Sequence, residues 1–199
     1  MDPESTALVR ILQWATRGPF SIHSMKLTLS IRLVVCLLVL SDRAVALPAV
    51  TEHELKAAYL LNVLRFTEGK PGPVAHEFFT LCLIAAGPIE KPLEALGDSL
   101  VRGRKLRVLQ VGKREELNGC EAVFIGRSAG HQVLLKTANA LGALTIGNDL
   151  EFIPMSGAVA LVVENHRIVV EINRDAISNR NWLISSHLLE IARIRGGNQ

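Results

Sequence analysis

Residues 78–88 read Phe78-Phe79-Thr80-Leu81-Cys82-Leu83-Ile84-Ala85-Ala86-Gly87-Pro88. The run is apolar almost throughout, too short for most helices, and closed by a Gly-Pro pair, which is how a strand buried on both faces of a sheet reads. Such a strand needs helices above and below it. Upstream, Thr51 and Glu54 form an S/T-x-x-E capping box, and Leu55, Ala58, Tyr59, Leu61, Asn62, Leu64 and Phe66 follow with mainly helical spacing. That predicts a first helix ending near Thr67, ahead of Gly69, Pro71, Gly72 and Pro73. Downstream, the pattern predicts a short helix at Lys91–Leu96, strands at Leu106–Val111 and Ala122–Ile125, a helix at His131–Leu141 and a strand at Ala143–Ile146. Ala158–Val163 and Arg167–Ile172 flank the turn Glu164-Asn165-His166 and read as an antiparallel hairpin. Ser185 or Ser186 is the expected N-cap of a last helix whose stripe is Leu188, Leu189, Ile191, Ala192 and Ile194, stopped by Gly196-Gly197. The expected fold is α/β: three layers, with a mixed, mostly parallel sheet flanked by helices and a C-terminal antiparallel hairpin.

Composition limits the function classes. The 199 residues, 49% of them hydrophobic, can build one domain with a substantial core. Five of the 22 basic and three of the 19 acidic residues precede position 47, so the remainder carries 17 minus 16, or +1. Nothing in it forms the cationic stripe that a phosphate backbone requires, which argues against a nucleic-acid partner. Met25–Arg32 is basic, Leu33–Leu40 apolar, and Ser41–Ala46 ends in Ala44-Val45-Ala46: the layout of a secretory signal peptide. The apolar run is about half the ~20 residues of a spanning helix, so no stable membrane anchor is expected. A lipoprotein reading through Cys36 fails on Val35, which is not small. Residues 1–46 are therefore expected to be an N-terminal extension plus a removed signal peptide, with Met25 suiting the true start, and residues 47–199 a single periplasmic domain. Cys82 and Cys120 remain after that removal, and in an oxidising compartment they are expected to pair, two buried thiols being the alternative.

Three chemistries can be weighed against the residues. Gly126-Arg127-Ser128-Ala129-Gly130 is a literal G-x-S-x-G between a strand and a helix, and Asp149 or Asp175 followed by His187 would complete a hydrolase order. No HGGG-like oxyanion segment stands upstream, and a turn in which Ser128 helps to cap the next helix explains the same residues. His53, His76, His131, His166 and His187 are scattered without metal-ligand spacing. Gly97–Gly103 contains glycines but no nucleotide-binding fingerprint. Hence no catalytic residue, metal or cofactor is expected, and the chain is read as a non-enzyme.

An ordered series of segments carries more information than any motif. It comprises residues 58–68 (Ala58 to Glu68), Leu81-Cys82-Leu83, Gly119-Cys120-Glu121-Ala122-Val123-Phe124-Ile125 and Leu144-Thr145-Ile146-Gly147. It continues through Gly157-Ala158-Val159, Arg167 to Asn173, and Ile184-Ser185-Ser186-His187-Leu188-Leu189. In order and spacing, from about Glu54 to Ala192, the chain resembles the YfiR family of bacterial periplasmic proteins. It departs from the family pattern at Gly69-Lys70-Pro71, where the family has an aromatic-proline step, and at Ser156-Gly157, where it has Gly-Gly. Only the Cys82–Cys120 bridge can be carried over from a family often richer in cysteine.

The resemblance implies a repressor that binds the periplasmic domain of an inner-membrane, YfiN-type diguanylate cyclase. It would keep cyclic-di-GMP synthesis, and with it biofilm formation, low until envelope or redox stress relieves the repression. The disulfide is then a candidate switch. Glu171, Asn173 and Ile177, in the E-I-N segment and the turn after it, are the expected partner contacts, although Asn173 could simply cap the turn and Glu171 be an ordinary edge residue. Tyr59 and Phe66 of the first helix suit the core better than a contact. A homodimer is compatible with this reading. The runner-up is a periplasmic module for a small apolar or aromatic ligand; a serine hydrolase using Ser128 comes third.

Overall fold

The computed structural model describes residues 50–69, 77–126, 130–180 and 182–196. All lie in one compact unit, Val50–Gln199. The chain begins with α1 (Glu52–Phe66), where the side chain of Thr51 accepts from the Glu54 amide at 3.2 Å and Glu54 returns the bond to the Thr51 amide at 2.7 Å. Then come β1 (Thr67–Glu68), β2 (Phe78–Ile84), a 3-10 turn, α2 (Glu90–Glu94), β3 (Leu100–Val101) and β4 (Arg104–Gln110). A second 3-10 turn (Arg114–Leu117) leads to β5 (Ala122–Ile125), α3 (Gln132–Ala140), β6 (Leu144–Gly147), β7 (Val159–Glu164) and β8 (Arg167–Asn173). The chain ends with α4 (Arg174–Asn179), β9 (Leu183–Ile184), α5 (Ser186–Ile191) and β10 (Arg193–Arg195).

Among the described residues the main sheet has eight strands in the order β10-β8-β7-β6-β5-β2-β4-β3, and β1 pairs with β9 in a separate ladder. β4, β2, β5, β6 and β7 run parallel, whereas β7–β8 and β3–β4 are antiparallel. The expected three-layer, mostly parallel sheet with its hairpin is present. The hairpin turn places Asn165 and His166 at φ 48° and 60°, the left-handed pair that a two-residue turn requires.

Strand alternation sorts the core into two clusters, one over each face. Phe79, Leu81 and Leu83 of β2 point to one with Ala122 and Phe124 of β5; Cys82 and Ile84 point to the other with Val123 and Ile125. Slipping β2 by one residue would exchange the two sets, so register is set by burial worth about 1.5–3 kcal/mol per large side chain. α1 joins the first cluster through Ala57, Leu60, Leu61 and Leu64, and α3 joins the second through Leu135 and Ala138.

Three expectations need correction. The buried face of α1 is rotated from the expected stripe: Leu55 and Phe66 are 44% and 40% exposed, and Ala57, Leu60 and Val63 take the core positions. Helix α5 stops at Ile191, and Arg193–Arg195 is a strand that pairs parallel with β8. Ala192 is extended (φ −95°, ψ 151°), and the open edge of β8 pairs the backbone of Arg193–Arg195. The third is the β3–β4 hairpin around Arg102-Gly103 (φ 53° and 77°), where the pattern predicted only a single strand at Leu106–Val111.

Glycine is obligatory for packing at Gly126, Gly147 and Gly157. A Cβ on Gly126 would stand 1.9 Å from the Ala85 carbonyl oxygen, where the ends of β5 and β2 meet and the Gly126 amide donates to Ile84 O. A Cβ on Gly157 would overlap the buried Phe152 ring at 2.2 Å. Gly126→Ala is therefore expected to cost about 2–3 kcal/mol in denaturant unfolding, while Gly112→Ala, with nothing within 4 Å, changes stability by less than about 0.5 kcal/mol.

Candidate functional site

Cys82 and Cys120 form a disulfide with their Cα atoms 5.8 Å apart. Cys82 lies in β2 and is fully buried; Cys120, in the turn that enters β5, is 8% exposed. The bridge spans 38 positions and so encloses α2, β3, β4 and the second 3-10 turn in one loop. Closing a loop of that length is worth about 3–4 kcal/mol on the chain-entropy account. Cys120 also lines a cleft of about 520 Å³ with Phe78, Arg107, Leu117 and Leu141, which gives solution an approach to the bridge.

The three expected contact residues sit close in sequence but do not form an open surface. The Glu171 side chain is 4% exposed, and its Oε1 accepts from Arg193 at 2.9 Å and from Arg195 at 2.7 Å. Arg193 also forks onto Glu164 at 2.6 and 2.7 Å. These bonds hold Glu164 below the usual carboxylate range and Arg193 above its own. Asn173 is the N-cap of α4, its side chain accepting from the Ala176 amide at 3.0 Å. Ile177 is 6% exposed and belongs to the core. What faces outward here is β10: Arg193 and Arg195, with side chains 39% and 49% exposed, beside Ile191 at 66% and Ile194 at 39%. Glu171 thus acts on this edge through the arginines that it holds.

The G-x-S-x-G turn joins β5 to α3 as expected, but Arg127, Ser128 and Ala129 lie outside the described residues. The N-cap of α3 is His131, without a side-chain capping bond. His187 stacks edge-on against Phe66 at the C-terminal end of α1, with ring centroids 6.3 Å apart. Gly126 and Gly130 share a cavity with Glu52 at the other end of that helix, about 22 Å away for 15 residues. His187 therefore does not meet the turn, and Asp149 stands on the turn's side of the sheet without it. Among the described residues no group of three or more His, Cys, Asp or Glu could hold a metal, and no helix is long and apolar enough to cross a membrane.

Sequence reasoning missed Arg102. Its guanidinium stacks on Phe79 at 5.3 Å and on Trp182 at 5.1 Å, while its Nε and one terminal nitrogen are buried without a hydrogen bond. Burial lowers its pKa. A turn glycine at 103 was the available signal, but the aromatic partners are distant in sequence, Phe79 in β2 and Trp182 just before β9.

The family described as YfiR/HmsC-like matches residues 53–193, nearly the whole described unit. The chain belongs to the YfiR/HmsC-like family. Among solved structures it is similar to a conserved domain protein from Vibrio cholerae O1 biovar El Tor, at TM-score 0.50 and 9% identity over 72% of this chain and 60% of that one. It is also similar to the ABC domain in complex with L-Trp from Streptococcus pneumonia, at TM-score 0.42 and 9% identity over 58% and 55% of the two chains. At 9% identity the likeness to the Vibrio protein concerns the fold alone, and the chain spans about 60% of that protein's length. No curated protein matches.

For a YfiR/HmsC-like chain, the Ser156-Gly157 departure has a physical cost. Ser156 adopts φ 72°, which the usual glycine reaches freely, while Gly157 keeps the space that Phe152 needs. The edge cluster yields a titration prediction. Because Glu164 titrates below its unfolded value in the native state, its contribution is complete above roughly pH 4 and fades as pH falls through its lowered native value. Amide exchange in β10, measured by mass spectrometry and corrected for intrinsic rate, is expected to be slow at pH 6 and to speed up as pH falls below roughly 4. Glu171→Ala should give fast exchange at both values.

Proposed function

We propose that the chain is an exported periplasmic regulatory protein that binds the periplasmic domain of a YfiN-type diguanylate cyclase in the inner membrane, as a monomer or homodimer, and lowers cyclic-di-GMP synthesis. The observation that supports this most is the YfiR/HmsC-like match across residues 53–193. The arrangement Met25–Ala46 suits export, after which the domain would meet the oxidising conditions in which Cys82 and Cys120 pair. Repression of this kind needs no catalytic group: the bound repressor stabilises one state of the cyclase and so shifts an equilibrium across the membrane.

Two features suit the role. The β8–β10 edge presents cations and apolar side chains whose position depends on Glu171, Asn173 and Ile177, so these residues would support the contact by positioning it. The disulfide is the switch in this reading. Reducing it frees the loop from 82 to 120 and loosens β3 and β4 against β2.

Binding of the oxidised and reduced protein to the purified periplasmic domain of a candidate cyclase, with Cys82→Ser as the permanently unbridged form, tests this reading. The expected result is binding by the oxidised protein and at least tenfold weaker binding by the other two forms. Equal binding by all three would remove the switch, and no binding by any would remove the repressor reading. Cys82→Ser is also expected to lose about 3–4 kcal/mol of stability.

A further inference from the structure

β4 is longer than the strand that covers it. β3 pairs with it only at Arg104 and Lys105, and Leu106 ends that ladder by donating to Ser99 O at 2.8 Å and accepting from the Asp98 amide at 3.1 Å. Strand alternation fixes the rest. Because the backbone groups of Leu106 point away from β2, those of Val108 and Gln110 do too, whereas Val111, of the other parity, donates to Leu83 O at 2.9 Å. Among the described residues no backbone group of another segment meets the N–H and C=O of Val108 and Gln110. The row of the sheet that β3 begins therefore stands open opposite residues 107–110, and an open edge is a template for one more strand.

The side chains decide what fits that edge. Leu106 and Val108 pack into the first core cluster, so Lys105, Arg107 and Leu109 occupy the opposite face of β4, where all three are exposed, Leu109 by 44%. Arg107 lies over the Phe78 ring at 3.8 Å, which holds its guanidinium beside the open row. Among the described residues neither Lys105 nor Arg107 forms an ion pair. Of the carboxylates that line the cleft beside Arg107, Glu121 is taken by Arg104 and Glu77 stands exposed without an ion pair. The edge thus offers backbone hydrogen bonds, a cation and an apolar side chain two residues further on.

We propose that this edge takes up one extended segment of a partner protein, with a carboxylate opposite Arg107 and an apolar side chain two residues away, opposite Leu109. Bonds to Val108 and Gln110 give the added strand its geometry, and the alternate side chains give it selectivity. A second copy of this chain, pairing through its own β4, would bring the same cations to the edge, and like charges across a strand pair repel. The surface lies at the other side of the sheet from the β8–β10 edge and does not depend on the repressor reading.

The test is an amide-resolved NMR titration of the oxidised protein with the blocked peptide acetyl-Thr-Glu-Thr-Leu-Thr-Glu-Thr-amide, and with the same peptide carrying Lys for both Glu. The sequence reads alike in both directions, so it sets Glu opposite Arg107 and Leu opposite Leu109 whichever way it lies. The acidic peptide is expected to saturate in the millimolar range, since a short flexible segment loses its freedom on binding, and to move the amides of Val108 and Gln110 downfield as they gain hydrogen bonds. The lysine peptide should bind at least about threefold more weakly. Arg107→Glu should reverse that preference, a change that loss of structure alone does not produce. The proposal is overturned if the acidic peptide does not saturate, if its shifts lie away from Val108 and Gln110, if the two peptides bind alike, or if Arg107→Glu keeps the wild-type preference. Shifts at those two amides with rising protein concentration alone would assign the edge to a second copy and equally overturn it.

Discussion

Burial of β2 on both faces is the constraint on which the rest of the molecule depends. Phe79, Leu81 and Leu83 enter one core cluster and Cys82 and Ile84 the other, so both helical layers are referred to this one strand. β4 and β5 pair with it on either side. The disulfide from Cys82 then fastens the entrance of β5 to the middle of β2 and closes the whole β4 crossover into a loop. Arg104 adds a charged tie across the same three strands, donating to Phe78 O at 3.3 Å and forking onto Glu121. Hydrophobic register, a covalent bond and a partly buried ion pair thus converge within a few residues.

That centre was also the most legible part of the sequence. β2, β5 and the β7–β8 hairpin were readable because burial leaves a local mark: continuous apolar runs, or a turn with Asn at its bend. The α1 cap was readable for the same reason, whereas its buried face was not, since Leu55 and Phe66 look like core residues until the sheet shows where the helix rests. β10 was hidden because its strand character comes from pairing with β8 and from Glu171, a partner 22 residues away from Arg193. The Arg102 hairpin failed through an arginine in a left-handed conformation that favours Asn or Gly.

The functional surfaces follow the same division. The pairing of Cys82 with Cys120 could be expected from the two cysteines left after the leader-like segment, and both sit where a change in bonding would be felt by the sheet. Glu171, Asn173 and Ile177 were singled out for contact, but each is occupied internally, by an ion pair, a helix cap and the core respectively. Their common effect is to hold the β8–α4–β10 edge in place. The open edge of β4 carried no signal in the sequence, because only the short pairing of β3 leaves it uncovered.

The central claim is that the disulfide governs the β3–β4 side of the sheet while the hairpin side stands without it. Native-state hydrogen exchange of the oxidised protein and of Cys82→Ser measures this directly. A larger loss of protection in Leu100–Val101 and Arg104–Gln110 than in Val159–Glu164 and Arg167–Asn173, beyond the loss of about 3–4 kcal/mol that all globally exchanging amides share, is the predicted result. Uniform loss across all four strands, or no change in any of them, would contradict the account.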